Sequence, residues 1–199
     1  MPLTLISTIC EGNAVKAAII KFSPDKVIII TSKPKDERKS TSRKSVKDLR
    51  NRYKTIKIEV ADTSVYEIPK IVNDVCKVID KEHKSGNDIL LHISEGRKTQ
   101  SLGVLFAGFI KKDKIKGAYY LIEETNKAIP MPLLDFKLSA TKTMILREIA
   151  SGNKKVAEII NKSKKSKAMI YVHINELKKE GYITENLEIT DAGRICILE

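Results

Sequence analysis

The chain has 199 residues, of which 42% are hydrophobic and 31% charged, a composition typical of a globular protein with a substantial core. Its formal net charge of +12 favours a polyanionic partner, either a nucleic acid or a phosphate-rich ligand. Three isolated cysteines, three scattered histidines and the lack of a run of about eighteen apolar residues argue against a disulfide framework, a metal site and a membrane-spanning helix. We therefore expect a cytoplasmic protein without metal, cofactor or membrane partner.

The first 124 residues alternate between strand-like and helix-like segments. The predicted strands are short and rich in β-branched residues, at positions 3–9, 27–31, 55–60, 88–93 and 117–123. Helices are predicted between them at 14–22, 40–53, 65–83 and 99–110. Such βαβ units form parallel sheets with right-handed crossovers. The sequence thus predicts an α/β fold, with a Rossmann-like sensor domain over residues 1–124.

A strongly basic stretch interrupts this pattern. Residues 33–54 contain ten Lys or Arg against three Asp or Glu, whereas residues 139–199 contain eleven against eight. The stretch could line the sensor surface, contact DNA phosphates, or form a solvated and mobile segment, and we favour the last.

The pattern changes to helices after a connector at residues 125–138, which holds Pro130 and Pro132 and has room for one extra strand. Helices are predicted at 139–150, 154–161 and 165–180, with a turn at 161–164. Two short strands at 182–184 and 187–190 and a last helix or strand at 191–198 follow. This order predicts a winged helix-turn-helix domain over residues 139–199.

The third of these helices is the predicted DNA reader. Ile170, Ile174 and Leu177 recur at helical spacing and should face the core, which leaves His173 on the buried flank. The outward face, its preceding turn and the wing give the predicted DNA-binding residues: Lys164, Lys165, Ser166, Lys167, Tyr171, Val172, Asn175, Lys179 and Asn186. Lysines here would hold phosphates, and Asn175 and Val172 would contact base edges. The alternative is that Tyr171 and Val172 pack in a dimer interface.

Three segments of this domain resemble the winged helix-turn-helix family of prokaryotic regulators. They are VAEII at 156–160, INELKKEGYI at 174–183 and LEITDAG at 187–193. The second resembles the ending of that family's recognition helix, and the third resembles the close of its wing. The resemblance implies binding to double-stranded DNA.

Two loops of the first domain are the candidate ligand site, because ligands of open α/β sheets bind beyond the carboxyl ends of the strands. The predicted ligand-binding residues follow the first and fourth strands: Ser7, Thr8, Cys10, Gly12, Asn13, Ser94, Glu95, Gly96, Arg97, Lys98 and Thr99. Glycine before a helix exposes backbone N–H groups to phosphate, although Gly96 could also be a simple turn residue. The sequence has neither G-x-G-x-x-G nor a Walker A loop, which argues against a dinucleotide cofactor.

This domain resembles the CRISPR-associated Rossmann-fold, or CARF, family. The resemblance rests on FSPDKVIIITS at 22–32 and ILLHISEGRK at 89–98. The family's T-G-G-T-K signature is matched by Gly96 and Lys98, with Ser94, Glu95 and Arg97 at its other positions. Because a carboxylate repels phosphate, Glu95 either points away from the ligand or marks an altered or lost ligand.

The order of the two domains resembles archaeal CRISPR-associated transcription regulators of antiviral defence. That resemblance implies a homodimer that binds a cyclic oligoadenylate, with tetra-adenylate expected, across its two-fold axis, and DNA half-sites about one helical turn apart. Two alternatives remain: a slow phosphodiesterase that uses Lys98 with Ser94 or Thr8, and a scaffold of a CRISPR complex. The loops offer no acid–base pair, so no catalytic residue is assigned.

Overall fold

The computed structural model describes residues 1–33, 40–133 and 138–198. The chain divides into two compact units, Met1–Leu134 and Asp135–Glu199. In its described residues, unit 1 contains a six-stranded sheet and four α-helices. Its strands are β1 (Leu3–Thr8), β2 (Lys26–Ser32), β3 (Lys57–Thr63), β4 (Asp88–His92), β5 (Gly117–Leu121) and β6 (Ala128–Met131). Its helices are α1 (Asn13–Phe22), α2 (Thr41–Arg52), α3 (Ile68–Lys84) and α4 (Lys98–Ile110), and a short 3-10 turn (Lys112–Lys114) precedes β5.

The sheet has the strand order β3-β2-β1-β4-β5-β6. All neighbours are parallel except β6, which is the extra strand within the predicted connector and pairs antiparallel with β5 through Ala118↔Met131 and Leu121↔Ala128. The strands nearest the centre are continuous apolar runs, such as Val27–Ile30 in β2, because helices cover both of their faces. The strand order reverses between β1 and β4, which is where doubly wound folds bind their ligands.

Unit 2 consists of α5 (Ala140–Ala150), α6 (Val156–Ser163), α7 (Lys167–Lys179) and α8 (Asp191–Cys196). Hydroxyl side chains cap three of these helices: Ser139 accepts from Lys142 N, Ser166 from Met169 N and Thr190 from Gly193 N, at 3.2–3.3 Å. Its core consists of eight buried aliphatic residues: Ile145, Leu146, Ile149, Ile159, Ile170, Ile174, Leu177 and Ile183. The predicted fold class, a Rossmann-like parallel sheet followed by a winged helix-turn-helix, is confirmed.

Two local predictions in unit 2 were wrong. The turn between α6 and α7 is later than residues 161–164, because α6 continues to Ser163 and ends at Lys164, whose φ of 51° is left-handed. The two wing strands reduce to one bridge, Ile183↔Ile189. The hydroxyl of Thr190 donates to the carbonyls of Gly181 and Tyr182 and also caps α8, so the chain enters the next helix before a longer ladder can form.

The basic stretch at 33–54 is only partly described, since residues 34–39 lie outside the described ranges. Its second half is α2, in which Arg43 forms an ion pair with Asp62 and Arg50 Nε donates to Ile58 O at 3.1 Å. Helix α2 is therefore attached to β3 by two of the cations that we assigned to a mobile segment. Among the described residues, no helix has the length and hydrophobicity needed to cross a bilayer.

Candidate functional site

A cleft of about 920 Å³ opens beyond the carboxyl ends of β1 and β2 and beside the first turns of α2 and α4. We call it the α2–α4 cleft. Hydroxyl groups and two cations dominate the described part of its lining, which consists of Ile9, Cys10, Thr31, Ser32, Ser40, Thr41, Ser42, Tyr66, Gly96, Arg97, Lys98, Thr99 and Gln100. A concave polar surface of this kind suits a small ligand with several oxygen atoms.

Two helices begin at this cleft. Helix α2 is capped by Ser40, whose Oγ accepts from Arg43 N at 3.4 Å and lies 3.1 Å from Ser42 Oγ. Helix α4 begins at Lys98, after Arg97, and neither helix has an acidic residue in its first turn. The positive ends of two helix dipoles and the exposed side chains of Arg97 and Lys98 therefore give the cleft a positive potential that favours anions.

The first turn of α4 also holds the loop between β3 and α3. Thr99 Oγ1 donates to Val65 O at 2.5 Å, and the buried Gln100 donates through Nε2 to Ser64 O at 3.1 Å. These bonds bring Tyr66, 70% exposed, to the mouth of the cleft, where its ring centroid is 5.9 Å from Arg97 Cζ. An exposed aromatic ring beside a guanidinium is a surface on which a nucleobase stacks well.

Glu95 is not among the residues that line this cleft. Its carboxylate lies at the start of α1, where Oε2 accepts from Gly12 N at 2.9 Å and Cys10 N at 3.4 Å, and Oε1 accepts from Ala14 N at 3.0 Å. Together with Asn13, Glu95 lines a separate cavity of about 310 Å³. The α2–α4 cleft is thus lined by the cations Arg97 and Lys98, whereas the second cavity is lined by the carboxylate of Glu95.

The structure therefore divides the predicted ligand-binding residues into three groups. Those that line the α2–α4 cleft are Cys10, Gly96, Arg97, Lys98 and Thr99, and those on the other cavity are Asn13 and Glu95. The remaining four, Ser7, Thr8, Gly12 and Ser94, line neither cavity. The hydroxyl of Ser94 accepts from Leu121 N at 2.6 Å, and that of Thr8 donates to Glu95 O. These two hydroxyl groups form hydrogen bonds with backbone atoms of the protein and do not face either cavity.

Ser7 forms a buried pair with His92. Ser7 Oγ lies 2.7 Å from His92 Nδ1 and also donates to Thr8 O at 2.9 Å. Burial lowers the pKa of His92 to about 4, so the imidazole is neutral at physiological pH. Both residues are 0% exposed and face each other across β1 and β4, so neither side chain reaches the solvent.

Sequence reasoning missed eight of the described residues that line the cleft: Ile9, Thr31, Ser32, Ser40, Thr41, Ser42, Tyr66 and Gln100. A signal was available, because Thr31 and Ser32 end the strand β2, and β2 is the parallel neighbour of β1. The hydroxyl-rich segment 40–42 at the start of a predicted helix was a second signal.

Unit 2 presents its own cationic surface. All nine predicted DNA-binding residues are exposed. Within the described part of the chain, Lys164, Lys165, Lys167 and Lys179 form no ion pair, and Lys167 Nζ lies 6.0 Å from the ring centroid of Tyr171. We call these four side chains the free lysines of α7, although Lys164 and Lys165 lie in the turn directly before the helix.

The other described lysines of unit 2 form ion pairs with carboxylates. Five of them have acidic partners at 2.7–3.3 Å: Lys142 with Glu176 and Glu180, Lys154 with Glu188, Lys155 with Glu158, Lys162 with Glu148 and Lys178 with Glu185. The net charge of this unit is modest, but positive charge is concentrated at the start of α7. Three of the four free lysines of α7 lie there: Lys164, Lys165 and Lys167.

The wing and the flank of α7 complete this surface. Asn186 is exposed at the tip of the turn that joins Ile183 to Ile189. His173 Nδ1 lies 3.1 Å from Glu176 Oε2 on the half-buried flank of the helix. The exposed face of α7 thus combines cations with Tyr171, Val172 and Asn175, as in helices that enter the major groove.

A Rossmann-like sheet with an anion-favouring cleft, followed by a winged helix with a cationic α7, defines the class: a Rossmann-like α/β domain joined to a helix-turn-helix domain. The chain belongs to the family whose model is described as "HFX_2341_N:-like, N-terminal", which matches residues 6–126. A second model, "Bacterial regulatory protein, arsR family", matches residues 139–185. No curated protein matches the chain.

Solved structures share the fold at low sequence identity. Csm6 of Enterococcus italicus bound to cyclic hexa-2′-fluoro-hexa-dAMP has 12% identity and a TM-score of 0.52, and the match covers 92% of this chain and 56% of that one. Protein VC1899 of Vibrio cholerae has 7% identity and a TM-score of 0.51, with 91% of this chain and 52% of that one covered. The chain spans about half the length of these proteins.

Proposed function

We propose that this protein is a DNA-binding transcription regulator of CRISPR loci that is controlled by a cyclic oligoadenylate. The observation that carries the proposal is the α2–α4 cleft, in which two helix N-termini, Arg97 and Lys98 face a cavity rich in hydroxyl groups. A helix-turn-helix of the arsR type in the same chain provides the output, because such domains bind DNA.

The chemistry of the cleft suits a phosphodiester ring. Backbone N–H groups and cations would bind the phosphates, while Thr31, Ser32 and Ser40 would hydrogen-bond to ribose hydroxyls. Tyr66 at the mouth offers a stacking surface for an adenine. Csm6, which shares the fold, has been solved with a cyclic hexanucleotide, and this supports the choice of ligand class.

The free lysines of α7 would bind DNA phosphates and so position the helix in the major groove. Asn175 would read an adenine edge, and Val172 would contact a thymine methyl group. A two-fold symmetric ring suits a homodimer, in which ligand binding would alter the spacing of two recognition helices and thereby DNA affinity.

Two measurements test the proposal. Binding of cyclic tetra-adenylate and cyclic hexa-adenylate is measured by calorimetry, with linear tetra-adenylate as the control. Binding to a double-stranded DNA pool is measured by repeated selection and mobility shift, with and without the ring. We expect micromolar or tighter binding of one ring and a ligand-dependent change in DNA affinity. The absence of both ring binding and selected DNA would overturn the proposal.

The same experiments separate the alternatives. A linear product that accumulates during incubation with the ring would identify a phosphodiesterase. Such an enzyme would need groups other than Ser94 and Thr8, whose hydroxyls are engaged by backbone atoms. CRISPR proteins that co-purify with the chain, together with no selected DNA, would identify a scaffold.

A further inference from the structure

We infer that Glu95 is a specificity-determining residue, a built-in anion that closes the N-terminus of α1 to phosphate and confines the ligand to the α2–α4 cleft. The inference deepens the proposed function and rests on its ligand-binding part. It starts from an asymmetry among the described residues: helices α1, α2 and α4 begin near the switch point, and of these three α1 alone has a carboxylate of a described residue on its first N–H groups.

The position occupied by Glu95 has the properties of an anion-binding site. Helix α1 has ten residues, and Gly12, with a left-handed φ of 86°, turns its N–H toward the carboxylate. Three backbone donors, those of Cys10, Gly12 and Ala14, converge on the two oxygens of one carboxylate. Such charge-assisted bonds at the positive end of a helix are the ones that a phosphate oxygen would otherwise accept.

The backbone keeps Glu95 in place. Its carbonyl oxygen accepts from Thr8 Oγ1 and from Ser101 Oγ, the latter at 3.0 Å. The next residue, Gly96, has a φ of 91° and is so close to β1 that a Cβ there would lie 2.9 Å from Thr8 Cβ. The side chain therefore cannot leave the start of α1 simply by a movement of its loop.

The consequence concerns which phosphates this protein accepts. A phosphate placed at α1 would have to displace a tethered carboxylate and would be repelled by its charge. The first turns of α2 and α4 carry no acidic residue, and Arg97 and Lys98 lie beside them. Glu95 thus makes the binding site one-sided, with all phosphates of the bound segment on the α2–α4 side.

The test uses inorganic phosphate as the probe and backbone amide NMR shifts as the readout, on the full chain. In the unmodified protein we expect saturable shifts at Thr41, Ser42, Lys98 and Thr99, and none at Gly12 or Ala14. In Glu95→Ala the amides of Gly12 and Ala14 should also shift as phosphate is added. Phosphate-dependent shifts of those two amides in the unmodified protein, or their absence in Glu95→Ala, would overturn the inference.

Glu95→Gln is the matched variant, because it keeps a hydrogen-bond acceptor and removes the charge. The amides of Gly12 and Ala14 should stay insensitive to phosphate, while affinity for cyclic tetra-adenylate should rise about three- to tenfold as a nearby negative charge is lost. Unchanged affinity would overturn the electrostatic part of the inference. If the unmodified protein binds no ring at all, the proposed function fails, while the phosphate shifts still decide the role of Glu95.

Discussion

The N-termini of α4 and α7 both combine a helix dipole with cationic side chains, but they differ in the shape of the surface around them. Each helix begins with cations that form no ion pair with another described residue: Arg97 and Lys98 before and at α4, and Lys165 and Lys167 before and at α7. Helix α4 begins at a cleft of about 920 Å³, whereas α7 begins on an exposed surface. The comparison teaches that the helix end and its charge attract an anion, and that the surrounding shape selects a small ligand or an extended polymer.

The largest expected effect is on the affinity for DNA. Replacing Lys164, Lys165 and Lys167 together by alanine should reduce DNA affinity at least about 100-fold and flatten its salt dependence, because phosphate contacts release counterions. Affinity for cyclic tetra-adenylate should not change. Mobility shifts at several salt concentrations measure the first effect, and calorimetry measures the second.

The matched control for this change is the triple replacement of Lys154, Lys155 and Lys162 by alanine. It removes the same charge from lysines that already have the acidic partners Glu188, Glu158 and Glu148. A loss of DNA affinity as large as that of the first triple variant would contradict a specific role for the free lysines of α7.

The second-largest expected effect is on the free energy of unfolding of unit 1 and not on ligand binding. Glu82 is 1% exposed and accepts from Lys26 Nζ at 2.8 Å, Asn87 Nδ2 at 2.9 Å and Thr4 Oγ1 at 3.0 Å. Glu82→Gln should lower the free energy of unfolding of this unit by about 2 kcal/mol, because it removes the buried charge that accepts these three hydrogen bonds and leaves the half-buried Lys26 with Glu59, a more exposed partner. Hydrogen exchange of the β1 amides measures it, and Glu59→Gln, at the more exposed partner of Lys26, is the control.

Acid should reduce the difference in free energy of unfolding between the unmodified protein and Glu82→Gln. Burial alone would raise the pKa of Glu82, but the hydrogen bonds from Lys26, Asn87 and Thr4 outweigh burial and hold the pKa below its usual 4.5. Its stabilisation is therefore present above pH 4.5 and is lost as the pH falls through the lowered value. The unmodified protein and Glu82→Gln should converge in stability below that pH. A constant gap would contradict the assignment.

A smaller effect is expected at the cleft itself. Arg97→Ala should weaken binding of cyclic tetra-adenylate about 10- to 30-fold, since it removes a charge-assisted contact with a phosphate. DNA binding by the ligand-free protein should be unaffected. Lys77→Ala, which removes an exposed lysine of α3, is the control, and an equal loss in the two variants would indicate a general charge effect.

The smallest effect concerns the nucleobase. Tyr66→Ala should weaken ring binding about fivefold, because it removes one stacking surface, while Tyr66→Phe should retain most of the affinity. Calorimetry measures both variants. A large loss in Tyr66→Phe would mean that the hydroxyl group, and not the aromatic ring, contributes the contact.

The fold was predictable because its signals are local. The β-branched run at Val27–Ile30 and the helical spacing of Ile170, Ile174 and Leu177 indicate their elements without reference to the rest of the chain. The short wing was not predictable, because its extent depends on the hydroxyl of Thr190, which both bonds to the wing and caps the next helix.

The site was predictable only in part, since it depends on which strands are neighbours. The loops after the first and fourth strands contributed Cys10, Arg97 and Lys98 to the cleft, but Thr31 and Ser32 enter it because β2 pairs with β1. The direction of Glu95 follows from three backbone N–H groups 81 to 85 residues away. Contacts over such distances leave no periodic trace in the sequence.

The two outer strands of the sheet have a consequence for how copies of this protein meet. Strand β6 contains Pro130, which has no N–H to offer a further strand, and β3 at the other margin carries Lys57, Glu59 and Asp62. Charged side chains and proline at sheet margins discourage strand-by-strand polymerisation. The protein should therefore tolerate high concentrations without forming fibres, and these margins favour pairing of copies through helix or loop surfaces.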